Sequence, residues 1–221
     1  MTTPHKTLPN PLASGIASMA RAAITEIDIA PKPQDTVFGD FDQLVCLSRG
    51  VTMAHGTACE ATIKMVLDVQ DHLRVLPGKI KLPITRTAQR NFESNSVESL
   101  STLNVDADEM QIGSYTPDII CIDKNTDVAS ILEIKRSTES YAVSKLTSLK
   151  DKMIQAALTA PDFLYRTQKK LKVKTVAVCI VDCSNSDTRR DFVRKATELE
   201  ERLYIEHLSA ALENLNKVLR E

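Results

Sequence analysis

The sequence predicts an α/β protein in which a mixed central sheet is flanked by helices. Three features carry that expectation. Residues 173–181 (VKTVAVCIV) form a nearly continuous β-branched apolar run, as in a strand buried on both faces. Residues 115–123 (YTPDIICID) and 128–135 (VASILEIK) flank the turn-forming quartet Lys124-Asn125-Thr126-Asp127, the pattern of a hairpin. Helix-forming stretches precede and follow these strands.

Taken in order, the chain opens with an expected N-terminal arm over residues 1–36. Pro4, Pro9, Pro11, Pro31 and Pro33 bracket one short helix-like stretch, Leu12 to about Ile24, that should pack loosely. An α/β core is expected over 37–186. Within it, Ala58, Cys59, Ile63, Val66, Leu67, Val69 and Leu73 make a helical stripe from Thr57 to Leu73, closed by Pro77-Gly78. Lys79 to Thr85 alternates as a strand that Pro83 confines to an edge or a strand end. Residues 92–113 are polar and acidic without a clear period. After the hairpin, Tyr141 to about Leu158 reads as a helix, and Pro161 should head a further turn or two. A long C-terminal helix is expected within 187–221, from Arg189 to Leu219. Its Leu208, Leu212, Leu215 and Leu219 repeat at 4, 3 and 4 residues, which fits either packing on the domain or a homodimer seam.

Composition narrows the classes. The 221 residues carry 28 Lys+Arg against 29 Asp+Glu, a formal net charge of −1, with 43% hydrophobic and 26% charged residues. That is a globular balance, not that of a protein coating nucleic acid over its whole surface. At 4% aromatic residues and no Trp, the core must be aliphatic. No run reaches the roughly 18 apolar residues of a membrane span, and MTTPHKTLPNPLASG lacks a secretory layout. Cys46, Cys59, Cys121, Cys179 and Cys183 are odd in number, and Cys121 and Cys179 fall in apolar strands, so a reduced, cytoplasmic protein is expected. His55 and Cys59 lack the second pair of a zinc site, and no Walker A or G-x-G-x-x-G motif supports a nucleotide cofactor.

Hairpin arithmetic points to the chemistry. A four-residue turn pairs Asp123 with Val128, so cross-strand partners sum to 251 and Asp118 falls opposite Glu133. Opposed residues share a face about 5 Å apart, and Lys135 shares it by alternation. Two carboxylates embedded in apolar strands need neutralising charge, from Lys135 and from a hard divalent cation such as Mg²⁺.

Pro117-Asp118, fourteen intervening residues, then Glu133-Ile134-Lys135 resembles the signature of the PD-(D/E)XK nuclease superfamily, of restriction-endonuclease-like fold. The resemblance covers about residues 50–185. It implies that Asp118 and Glu133 hold one or two Mg²⁺ ions (Mn²⁺ substituting), that the Ile134 carbonyl joins them, and that Lys135 orients the attacking water. It also implies an additional acid from the first core helix, matched by Glu60, with Asp68 and Asp71 as weaker candidates. Lys152 and Gln155 match a Gln or basic residue on the helix after the lysine.

Charge is lopsided about this signature. Residues 135–195 carry fourteen Lys+Arg against six acids, a net of +8, whereas 91–133 carry nine acids against Lys124, a net of −8. Arg136 and Lys145 from this basic span, with Lys152 and Gln155 that the resemblance implies, are the expected nucleic-acid contacts. Ser137-Thr138 fits phosphate-contacting hydroxyls or a helix N-cap equally. The expected activity is Mg²⁺-dependent endonucleolytic hydrolysis of DNA. The alternatives are an RNA-cleaving toxin or processing nuclease with the same site, and an inactive nucleic-acid-binding or assembly module.

Overall fold

The computed structural model describes residues 8–27, 37, 39–100, 103–139, 141–184 and 192–220. It is mixed α/β, with a mixed five-stranded sheet flanked by helices, as the sequence predicts. The chain divides into two compact units, Met1–Val66 with Glu206–Glu221, and Leu67–Ile205.

The first unit is helical. It contains α1 (Asn10–Thr25), a short 3₁₀ turn (Gly39–Phe41), α2 (Asp42–Asp68) up to Val66, and α7 (Leu208–Val218). The expected arm helix is thus present, but it is not loosely held. Leu12, Ile16 and Ala20, at four-residue spacing, are buried, and α1 packs on α7. A Cβ on Gly15 would come within 2.6 Å of Met65 Cε, the flexible end of that side chain, which would have to shift aside. His55 Nε2 bonds Asn216 Oδ1 at 3.0 Å and Cys59 is buried, which gives both residues ordinary structural roles. Helix α2 begins at Asp42, well before the expected Thr57, and Leu44 and Val51 in its first half are exposed.

The second unit holds the sheet. Strands β1 (Leu73–Val75), β4 (Ile119–Asp123), β5 (Val128–Lys135), β6 (Thr175–Asp182) and β7 (Val193–Lys195) lie in that spatial order. The first three are antiparallel, while β6 and β7 continue parallel to β5. Helix α5 (Val143–Thr167) packs on β6 and on a separate two-stranded ribbon, β2 (Leu82–Thr85) with β3 (Gln111–Tyr115). Helices α3 (Arg86–Ser94) and α4 (Val97–Leu100) join β2 to β3, and α6 (Ala196–Leu203) follows β7. The hairpin register is the predicted one, with Asp123 opposite Val128 and Ile119 opposite Leu132. Ala129 and Ile131 of β5, Ile120 and Ile122 of β4 and Ile180 of β6 share the face packed by Leu146 and Met153 of α5.

Four local expectations are corrected. The aperiodic stretch 92–113 contains the end of α3, all of α4 and most of β3; the Thr85 hydroxyl caps α3 by accepting the Ala88 N–H. The strand expected from Tyr115 is split, because Pro117 has no N–H for a ladder, so Tyr115 ends β3 and Ile119 begins β4. Helix α5 runs through Pro161 instead of restarting there. The Thr159 hydroxyl caps the Ala156 carbonyl and the Val105 N–H binds Leu158 O, while Ala156 to Pro161 are all buried. The C-terminal helical region is two helices, parted where Tyr204 and His207 take left-handed conformations (φ 51° and 72°). Its expected start at Arg189 and Arg190 lies outside the described residues. Leu208, Leu212 and Leu215, offered as a seam for a second copy, are buried in this chain.

Among the described residues no helix is long and apolar enough to cross a membrane. Burial pushes the thiol of Cys121 up to about 12, with Asp123 adding to it, and that of Cys179 up to about 11. The folded state therefore keeps protons that an unfolded chain releases from about pH 9. Stability is complete below that pH and should fall as pH rises toward 12, by up to about 1.4 kcal/mol per pH unit for each thiol. Urea denaturation at pH 8 and 10.5 checks this, and a Cys121→Ala variant should show a shallower decline.

Candidate active site

Strand β5 ends with Glu133, Ile134 and Lys135, and the loop entering β4 carries Asp118. The Asp118 carboxylate reaches across to β5, where Oδ2 accepts the Ile134 N–H at 2.7 Å. Asp118 lies one residue beyond the last ladder pair, Ile119 with Leu132, and meets β5 through its side chain. The contact the structure gives Ile134 toward the site is through its N–H. On Asp118 Oδ1 the nearest cation is Lys79 Nζ at 3.7 Å, itself 62% exposed and so weakly held.

Glu133 is buried among apolar strand residues and satisfied at both oxygens. Lys135 Nζ donates to Oε1 at 2.6 Å, and the Tyr115 hydroxyl donates to Oε2 at 2.5 Å. Burial of Lys135 works against its charge, but the hydrogen bond and attraction of Glu133 outweigh it. With smaller attractions from Tyr141 and Asp118, they hold its ammonium above the ordinary lysine range. Lys135 is thus a fixed cation at neutral pH. Burial, then the negative charges of Glu133 and Asp118, push the Tyr115 phenol well above its usual range, so it stays a donor.

Sequence reasoning overlooked Tyr115 and Asp182. Buried Asp182 stands opposite Lys135 in the β5–β6 ladder. Its Oδ2 accepts the backbone N–H and hydroxyl of Thr138, and its Oδ1 accepts both from Ser184. Thr138 is fully buried in this arrangement and anchors the chain after β5, which matches neither sequence reading: α5 starts only at Val143, with Ala142 at its N-cap. A carboxylate closing an apolar strand, three residues before which every position is apolar or thiol, was the available signal. For Tyr115 the signal was weaker, a hydroxyl three residues before Asp118.

The remaining expected residues divide by location. Glu60 lies on α2 in the helical unit, half-buried, whereas Asp118, Glu133 and Lys135 lie together in the sheet unit. Arg136 is exposed immediately beyond β5. Lys145 and Lys152 are exposed two turns apart on α5, and with Ser144 and Ser148 they line a shallow open depression. Gln155 is half-buried one turn beyond Lys152.

The donor set can be tested against the divalent cation the sequence implies. Among the described residues no three His, Cys, Asp or Glu gather to hold a metal ion. Asp118 and Glu133 alone would make a poor cage for Ca²⁺ or Zn²⁺. They do fit Mg²⁺, which keeps several waters and binds through one or two carboxylates plus substrate phosphate oxygens. Asp118 retains unfilled acceptor capacity, and Glu133 would exchange a hydrogen bond for the ion.

Tyr115→Phe removes one donor from a buried carboxylate without creating a cavity. It should cost about 1–2 kcal/mol in urea denaturation, and part of the stability lost above pH 10 in the parent should be absent in the variant. No family model, no curated protein and no solved structure matches the chain.

Proposed function

We propose that this chain is a Mg²⁺-dependent endonuclease of the PD-(D/E)XK kind that hydrolyses phosphodiester bonds in DNA. The observation that supports it is the meeting at one strand end of Asp118, Glu133 and a Lys135 that is charged at neutral pH. Asp118 and Glu133 would hold the ion, with Mn²⁺ substituting. A bound divalent cation lowers the pKa of attached water and neutralises developing charge on the phosphate.

The chain's own residues supply the rest. The Ile134 N–H fixes the Asp118 carboxylate, and Tyr115 fixes Glu133 from the interior side. Lys135, above its ordinary pKa, is no general base; its ammonium orients the water and stabilises the negative transition state. Asp182 holds the strand end carrying Lys135. Arg136, Lys145 and Lys152 offer cations for flanking phosphates. Cys121 and Cys179, buried as thiols within strands, are in keeping with the reduced, cytoplasmic setting we propose.

One observation favours a second reading, a catalytically silent nucleic-acid-binding module. Both Glu133 oxygens already have hydrogen-bond partners, as in a carboxylate with a purely structural duty. Incubating the protein with plasmid DNA and with structured RNA, in Mg²⁺ and in EDTA, separates these readings. Mg²⁺-dependent cleavage of plasmid is expected. Cleavage of RNA alone moves the assignment to the ribonuclease alternative, and binding without cleavage of either moves it to the module.

A further inference from the structure

Beside the α5–β6 contact, away from Asp118, lie two adjoining hollows within the sheet unit that share Val97, Ile154 and Val178. The apolar one, about 160 Å³, is walled by aliphatic side chains including Leu100, Ile154, Leu158 and Val176, with Asn104 the one polar side chain among the described residues. The cationic one, about 310 Å³, is lined among the described residues by Lys150, Arg194 and Arg202 against a single acid, Glu98. The Lys150 ammonium also sits 5.2 Å from the Phe192 ring, which limits its freedom at this mouth. An apolar hollow and a cationic one thus adjoin. Val176 and Val178 are only half-buried because β7 pairs with β6 at Ile180–Asp182 and leaves the earlier part of that strand uncovered.

We propose that this paired hollow is a binding site for a small amphipathic anion, an alkyl chain of about six carbons ending in a carboxylate or phosphate. Size sets the chain: an apolar cavity of about 150 Å³ holds one benzene-sized group. Chemistry sets its type. A nucleobase would bury several polar edge atoms against Asn104 and, among the described residues, find no aromatic face in the apolar hollow to stack on, whereas an alkyl chain needs neither. Charge sets the head group, since three cations against one carboxylate favour an anion there. This site is independent of the nuclease reading, because it uses none of Asp118, Glu133 or Lys135.

The test is a ¹⁵N-resolved NMR titration of the full chain with octanoate and octyl phosphate below micellar concentration. Heptanol, acetate, inorganic phosphate and cytidine monophosphate serve as comparisons. Saturable shifts at Leu100, Val178 and Arg194 are expected, with affinity rising about fourfold per added CH₂ up to roughly six carbons. Heptanol and acetate should each bind at least about tenfold more weakly than octanoate. The relative strength of octanoate and octyl phosphate identifies the head group, and either order supports the site. Leu103→Trp, whose indole at the half-open mouth can fill the cavity, should abolish the shifts, as should Lys150→Gln combined with Arg194→Gln. Absence of saturable shifts in the parent protein, lack of chain-length dependence, or cytidine monophosphate or inorganic phosphate binding as tightly as octanoate would overturn the proposal. So would unchanged octanoate binding in Leu103→Trp.

Discussion

Replacing Lys135 with Met should lower Mg²⁺-dependent DNA cleavage by at least about a hundredfold, and destabilise the fold by about 3 kcal/mol. Both effects trace to the 2.6 Å contact between Lys135 Nζ and Glu133 Oε1. The two side chains are only 18% and 12% exposed, so water screens the pair far less than a surface ion pair. Truncating the lysine leaves a buried carboxylate with Tyr115 as its remaining partner, and an uncompensated buried charge is costly. The pair's stabilisation also has a defined pH range. Because the ammonium lies above its ordinary value of 10.5, its contribution is complete below that pH and is lost as pH rises through the folded-state value. A Glu133→Gln, Lys135→Met double variant separates the two effects. It should regain most of the lost stability, since no unpaired charge remains, while staying inactive. Full cleavage by Lys135→Met, with or without the stability loss, would remove lysine from the chemistry.

Asp182→Ala should destabilise the protein by about 3 kcal/mol, measured by urea denaturation, although the residue carries no proposed chemistry. Asp182 accepts four hydrogen bonds, and the two from Thr138 matter most because Thr138 is fully buried. Each buried donor left without a partner costs about 1–3 kcal/mol, whereas the half-exposed Ser184 donors can turn to water. Thr138 follows Lys135 by three residues, so loosening it shifts the lysine relative to Glu133. Cleavage should fall on the order of ten- to a hundredfold, the scale associated with misplacing a catalytic group by about 1 Å. Asp182→Asn, which keeps an acceptor for Thr138, should retain more of both. Equal stability of Asp182→Ala and the parent protein would show that this network does not hold the strand end.

The parts of the site readable in the sequence are those set by local rules. A four-residue turn and a two-residue side-chain period were enough to pair Asp123 with Val128 and to carry Asp118 to β5. The sheet layout followed from the same strands and from the apolar run at β6. Tyr115 was beyond such rules. It belongs to the β2–β3 ribbon, across the Pro117 break from β4, and meets Glu133 through tertiary packing. Asp182 and Thr138 are 44 residues apart and are joined by the parallel β5–β6 pairing, which no local pattern encodes. The division of the C-terminal helical region escaped notice because Tyr204 and His207 take the left-handed conformation without a glycine to announce it, while leucine spacing continues on both sides.

The most direct test of the proposed site is a crystal structure grown with Mn²⁺, read by anomalous scattering. The account predicts an ion within about 2.2 Å of carboxylate oxygens from both Asp118 and Glu133, with the Glu133 contact to Tyr115 or Lys135 lengthened to admit it. An anomalous map without a peak between those carboxylates at saturating Mn²⁺, with Glu133 still held by Tyr115 and Lys135, would contradict it.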